Sequence, residues 1–231
     1  IDVQVALDHP NIVRVYEYFE EVDAIHIIME ICTGGALVSR MKRFRNGFPE
    51  EEAATLIEKI LGAVLYCHSQ GVIHRDIKLD NFIYTDKSDN AELKMIDFGF
   101  AYEVQNGREG MFEQIGTPSY MAPELWSDTE LEYDSSVDMW AIGVVAYMIL
   151  SGTRPFHSGN QHEKARMIRE DPVVFPSANW GHVSEAAKNF IRQLMHKDPR
   201  KRLSASQALK LPWIAQRSSL HTALPEEAMA K

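Results

Sequence analysis

An α+β fold, with a small sheet preceding a larger helical body, is what this chain of 231 residues predicts. Three observations carry the prediction. Short runs rich in β-branched and aromatic residues stand near the start, and segments with helical spacing fill most of the second half. Between the two regimes lie polar clusters of turn-forming residues.

Residues 12–18 (IVRVYEY) and 25–31 (IHIIMEI) read as strands, and Gly34-Gly35 breaks the pattern directly after them. From Pro49 to His68 the spacing of Ala53, Leu56, Ile57, Ile60, Leu61, Val64 and Leu65 follows one face of a helix. Pro49, Glu50, Glu51 and Glu52 place proline and negative charge in its first turn, where the helix dipole favours them. Residues 72–98 read as short strands and turns around polar clusters. Ser135 or Ser136 is expected to cap a nearly all-apolar helix over Val137–Leu150, and a helix apolar on every face belongs in a core. Helical spacing returns at 161–170, 184–196 and 204–211, whereas 215–231 lacks a convincing period and reads as a terminal extension.

The net charge of −9 argues against nucleic acid as a partner, because phosphate binding needs clustered Lys and Arg. An acidic surface is compatible with a basic peptide substrate, although most such surfaces are simply solvated. The two cysteines, Cys32 and Cys67, each lie in an apolar stretch and form neither a metal spacing nor a disulfide framework. They read as reduced, buried thiols, and a cytoplasmic location is the expectation. The longest uncharged run, Met139–Thr153, is too short to span a bilayer and reads as a buried helix; the sequence opens without a signal-peptide pattern but also mid-pattern and without an initiator Met, which leaves an upstream targeting segment open.

The chemistry concentrates in His74-Arg75-Asp76-Ile77-Lys78-Leu79-Asp80-Asn81, followed by Asp97-Phe98-Gly99. Phosphoryl transfer needs a group to accept a hydroxyl proton and oxygen ligands for Mg²⁺ on the nucleotide phosphates. Asp76, Asn81 and Asp97 supply a base, a neutral metal ligand and an anionic one. Asp-Phe-Gly alone is a weak signal, and such residues can be mere turn caps. The eight-residue string, with Asp-Phe-Gly after it and Ala122-Pro123-Glu124 beyond, is a strong one.

With these motifs in place, residues from about Leu7 to Ile214 resemble a eukaryotic serine/threonine protein kinase domain. The likeness is greatest to the calcium/calmodulin-dependent group, and within it to the calcium-dependent protein kinases of plants and protists. Leu7-Asp8-His9-Pro10-Asn11-Ile12-Val13, Gly116–Glu124, Tyr133-Asp134, Gly152–Phe156 and Asp198–Leu203 carry the rest of the resemblance. It implies a protein kinase-like fold: a remnant of the N-lobe sheet over 1–31, a mostly helical C-lobe over 32–214, and an extension over 215–231.

The resemblance also implies roles. Asp76 would be the catalytic base, Lys78 would neutralise charge on the transferring phosphoryl group, and Thr117 would bridge the two. Asn81 and Asp97 would bind Mg²⁺ with ATP. Glu124 and Arg202 would form a buried ion pair, and Asp138 would hold the catalytic-loop backbone. His74 reads as a packed histidine beside Phe98 rather than a general base. Met29 would be the gatekeeper, Glu30 and Cys32 would offer a backbone carbonyl and amide to adenine, and Ile83 would floor the ring; each could equally be strand core. Arg75 calls for an anionic partner in the activation segment, and Glu113 stands where a phosphothreonine is common, with no Ser, Thr or Tyr between Glu103 and Gly116. Glu113 therefore reads either as a fixed-charge partner of Arg75 or as a solvated loop acid.

Departures from the family pattern temper the substrate expectation. Ala36 and Met148 stand where basophilic relatives often carry acids, and Asp80 remains to meet a substrate arginine. The Gly-rich loop, the strand lysine and the glutamate of the regulatory helix have no counterpart here, so the chain reads as a fragment, inactive alone, whose first nine residues are that helix's tail. Asp2 falls on another face and does not replace the glutamate. Nothing resembles an EF-hand loop, so calcium sensing would lie beyond Lys231. Leu220–Lys231 reads as a disordered tail rather than an autoinhibitory segment. Two alternatives stand beside the kinase: a pseudokinase scaffold, which has no need of Asp76, Lys78, Asn81 and Asp97 together, and a small-molecule phosphotransferase, which has no need of Gly116–Glu124.

Overall fold

The computed structural model describes residues 1–44, 46–104, 111, 113–126 and 132–216. Helix α1 (Asp2–Val5) leads into the antiparallel hairpin β1 (Val15–Glu20) and β2 (Ile25–Met29). A three-stranded antiparallel sheet has the order β3 (Gly35–Ala36), β5 (Phe82–Tyr84), β6 (Leu93–Met95), with helix α2 (Leu37–Met41) following β3. Long helix α3 (Glu50–Ser69) precedes β4 (Val72–Ile73), which pairs with β7 (Tyr102–Glu103). The rest is helical: α4 (Ser136–Ser151), α5 (Gln161–Glu170), α6 (Ser177–Trp180), α7 (Glu185–Leu194), α8 (Ala205–Ala208) and α9 (Pro212–Ala215). This is the α+β arrangement expected, with helices dominating the second half. No helix among the described residues is long and apolar enough to cross a membrane.

The core forms around α4, whose residues from Val137 to Ser151 are all buried. Helix α3 packs against it and buries Leu56, Ile57, Ile60, Leu61 and Val64, and Trp140, Trp180 and Trp213 are almost wholly enclosed. Each such large side chain contributes about 1.5–3 kcal/mol by leaving water. Gly152 ends α4 at φ 70°, a left-handed cap that a side chain would strain.

Four boundaries differ from the expectation. The first strand spans Val15–Glu20 rather than 12–18, because Ile12 bridges Met95 and the Val13 N–H donates to the Met95 carbonyl at 2.9 Å. Strand β2 stops at Met29, where the Glu30 N–H turns to the Arg14 carbonyl at 2.8 Å. Neither Ser135 nor Ser136 caps α4 with its side chain: Ser135 already has helical backbone, and the Asp134 carboxylate takes the Ser136 N–H at 2.8 Å. The helix expected over 204–211 closes at Ala208, and Pro212 opens α9, since a residue before proline leaves the helical region and Leu211 is extended. The expected tail, Leu220–Lys231, lies outside the described residues.

Candidate active site

Everything that positions the site hangs from Asp138 in the first turn of α4. It is almost fully buried, and its two oxygens accept the backbone N–H groups of His74 and Arg75, each at 2.9 Å. The second oxygen also meets His68 Nε2 on α3 at 2.9 Å. Burial pushes the Asp138 carboxyl upward, but the hydrogen bond and charge of His68, with the help of His74, leave it below the ordinary carboxylate range. The loop from His74 to Asn81, between β4 and β5, is thereby fixed from beneath. Arg75 sits at φ 66° and Asp97 at φ 64°, the only non-glycine residues with positive φ among those described. Such conformations cost on the order of 1–3 kcal/mol each and persist where the surroundings over-determine them.

Asp76 is 3% exposed and engaged at both oxygens. Its Oδ1 accepts from Thr117 Oγ1 at 2.7 Å and from the Thr117 N–H at 3.0 Å. Its Oδ2 accepts from Lys78 Nζ at 2.5 Å, and the same ammonium reaches Thr117 Oγ1 at 3.2 Å. Thr117 can come this close because Gly116 precedes it at φ 121°, where a Cβ would lie 2.8 Å from the Arg75 carbonyl oxygen. Asn81 donates from Nδ2 to the Asp76 carbonyl at 2.9 Å, a bond that does not use its Oδ1 acceptor.

Asp97 is exposed, and its Oδ1 accepts from the Gly99 N–H at 3.2 Å. Phe98 packs on His74 with ring centroids 4.9 Å apart. Burial holds the His74 imidazole below its ordinary pKa, so Nε2 donates to the Ile96 carbonyl while Nδ1 accepts from the Asp76 N–H. A histidine held neutral in the fold but free to protonate when unfolded makes stability fall as pH drops below 6.5, since the unfolded chain then binds more protons. Asp138 adds a loss of its own only below the ordinary 3.8. Denaturant midpoints measured at pH 7.5 and pH 5 should therefore fall toward acid, and His74→Phe should flatten that slope relative to the parent. An equal slope in both proteins would refute the assignment.

Asp97, Phe98 and Gly99 share one cleft with Val13, Met29, Ile96 and, from α1, Gln4. Asp2 stays out of it and instead accepts from the Tyr18 hydroxyl at 2.8 Å. The Glu30 carboxylate is drawn to Lys94 at 2.7 Å. The Glu30 carbonyl and the Cys32 N–H have no backbone partner among the described residues. Ile83 lies half-buried in β5, opposite Ala36 and Lys94. Oxygen donors on Asn81 and Asp97 suit Mg²⁺, which commonly takes one or two protein ligands and completes its octahedron with phosphates and water.

Arg75 gathers the activation segment. Its Nε donates to the Phe100 carbonyl at 2.6 Å, and its Nη1 reaches the Glu113 carboxylate and the Tyr133 hydroxyl, each at 3.3 Å. Tyr133 in turn donates to the Glu113 carbonyl at 2.8 Å. Deeper, Arg202 grips Glu124 through both terminal nitrogens at 2.6 Å and donates from Nε to the His196 carbonyl at 2.8 Å. Tyr133 and His68 are the participants that sequence reasoning missed. His68 stands there only as the end of the helical run from Pro49, and nothing near Tyr133 announces its partners.

A small sheet, a helical body built on α4, and a catalytic-type loop strung between them are the features of a protein kinase domain, and the protein kinase domain family matches residues 1–214. The chain belongs to that family. It is 40% identical over 207 residues to calcium-dependent protein kinase 14 of Arabidopsis thaliana, covering 90% of this chain and 38% of that protein. It is 40% identical over 212 residues to CDPK-related kinase 8 of the same plant, covering 92% and 34%. To the calcium/calmodulin-dependent protein kinase type II alpha chain of Drosophila melanogaster it is 39% identical over 211 residues, covering 91% and 39%. The chain thus spans less than two fifths of the length of each of these relatives.

Proposed function

We propose that the protein carrying this chain transfers the terminal phosphoryl group of ATP to Ser and Thr hydroxyls of protein substrates, with Asp76 accepting the hydroxyl proton. The observation that carries this reading is the closed triangle of Asp76, Lys78 and Thr117. A carboxylate held at both oxygens keeps one orientation as a hydroxyl approaches, and the adjacent ammonium offsets charge on the transferred group. Asn81 and Asp97 would hold Mg²⁺ with the nucleotide, and the bound ion would neutralise phosphate charge. Met29 would border adenine, the Glu30 carbonyl and Cys32 N–H would bond it, and Ile83 would lie beneath it. Calcium dependence, a property in the names of the relatives, would come from sequence outside this chain. Asp80 is exposed and carries the expected preference for basic substrates, whereas Ala36 and the buried Met148 add no charge to it.

The test is phosphorylation of a basic Ser/Thr peptide with Mg-ATP, comparing residues 1–231 with the protein at full length. Transfer by the longer protein alone supports the reading and assigns further ATP-holding parts to sequence outside this chain. Silence in both, without Mg-ATP binding, favours a pseudokinase scaffold.

Glu113 supplies fixed negative charge to Arg75 in place of a phosphate. The Arg75 side chain is 8% exposed, but that of Glu113 is 71% exposed, so solvent screens the pair. Glu113→Gln should therefore lower activity only about two- to fivefold, with the deficit shrinking as salt rises. Unchanged activity at low salt would make Glu113 a solvated acid.

A further inference from the structure

Three segments wall the cleft that holds Asp97. Val13 enters from just before β1, Met29 from the end of β2, and Ile96 and Asp97 from just beyond β6. The Glu30 carboxylate lies where the three meet: its Oε2 accepts from Lys94 Nζ at 2.7 Å and from the Arg14 N–H at 3.3 Å. Glu30 is one residue beyond Met29, Arg14 one beyond Val13, and Lys94 two before Ile96. A single oxygen thus links the neighbours of all three walls.

The backbone closes two sides of this triangle. The Glu30 N–H donates to the Arg14 carbonyl at 2.8 Å, and the Val13 N–H to the Met95 carbonyl at 2.9 Å. The third side, from the end of β2 to β6, is made by the Glu30–Lys94 ion pair. The Lys94 side chain is 12% exposed and that of Glu30 24%, so solvent screens this pair far less than it screens Arg75–Glu113. Lys94 stands directly opposite Ile83 in the β5–β6 pairing, which puts the two side chains on one face of the sheet. Neither Glu30 nor Lys94 bonds to Asp76, Lys78 or Thr117 among the described residues, so the pair belongs to the cleft and not to the transfer triangle.

We infer that Glu30 and Lys94 are positioning residues for the nucleotide. Their ion pair sets the spacing of the cleft walls and fixes the Glu30 carbonyl and Cys32 N–H where adenine would meet them. This rests on the kinase reading proposed above.

The experiment uses the full-length protein with Lys94→Met, Lys94→Arg, Glu30→Gln and the Lys94→Met/Glu30→Gln double variant. Mg-ATP and Mg-GTP are titrated calorimetrically, beside KM and kcat for peptide phosphorylation. Lys94→Met should weaken Mg-ATP binding about tenfold, the scale of one charged hydrogen bond. KM for ATP should rise in step, with kcat at saturating ATP within about twofold of the parent. The parent's preference for ATP over GTP should narrow, because the groups that would read adenine lose their fixed place. The isosteric Glu30→Gln should act alike, and the double variant should bind no more weakly than Lys94→Met, since both changes break one bond. Lys94→Arg keeps the charge and should recover most of the loss. Unchanged Mg-ATP affinity in both single variants, with only Tm or kcat lowered, would make the pair merely structural and overturn the inference. So would an equal loss in Lys94→Arg, or a double variant whose loss is the product of the single losses. A parent that binds neither nucleotide overturns the kinase reading, and this inference with it.

Discussion

Asp76→Asn should lower kcat for peptide phosphorylation by about 100- to 10,000-fold, the range expected when a positioned general base is lost. The change is isosteric, and Thr117 can still donate to the retained oxygen from its hydroxyl and its N–H. What changes is the face toward Lys78. An amide nitrogen at the Oδ2 position would confront the Lys78 ammonium donor to donor, where the parent has a 2.5 Å ion pair. Asp76 is not among the residues lining the Met29–Asp97 cleft, so Mg-ATP affinity should change little. Steady-state kinetics beside a nucleotide-binding titration separate the two effects. Near-normal kcat in the variant would remove Asp76 from the chemistry, and loss of nucleotide binding alone would give it a different role.

Arg202→Met should cost about 3–5 kcal/mol of stability, because it strands Glu124 without its partner in the interior. The Arg202 side chain is fully enclosed and that of Glu124 is 8% exposed. The guanidinium also serves the carbonyls of His196 and Ser136, at 2.8 and 3.2 Å, so its removal orphans groups on three segments. For a protein of this size the loss corresponds to a fall in Tm on the order of 10 °C. Adding Glu124→Leu should recover part of it, since removing both charges also removes the buried unpaired one. Thermal melts of the single and double variants decide the matter: a double variant no more stable than Arg202→Met would mean that the loss does not come from a stranded Glu124 charge.

The parts of this molecule legible in its sequence are those where one short segment contains the whole reason for its conformation. Helix α3 declares itself by apolar spacing and an acidic first turn, and α4 by being apolar on every side. The string from His74 to Asn81 is legible because the chemistry demands those residue types close together. Legibility ends where the cause is distant. Tyr133 meets Arg75 across 58 positions, and His68 reaches Asp138 across 70, so no local pattern reports either. The start of β1 is displaced because Asn11 and Val13 form backbone bonds with Met95, which lies far along the chain. The break at Pro212 is different: the proline is a local stop signal that the apolar spacing of 204–211 masks.

The carboxylate of Asp138 has a consequence for solvent exchange. Loop amides normally trade hydrogen for deuterium quickly, because small local openings expose them. The amides of His74 and Arg75 instead donate to an acceptor embedded in the first turn of α4, itself sealed from water. Freeing them requires the loop to lift from that helix, so they should exchange more slowly than loop amides that face water. Two loop amides in sequence thus take their shielding from the first turn of a buried helix.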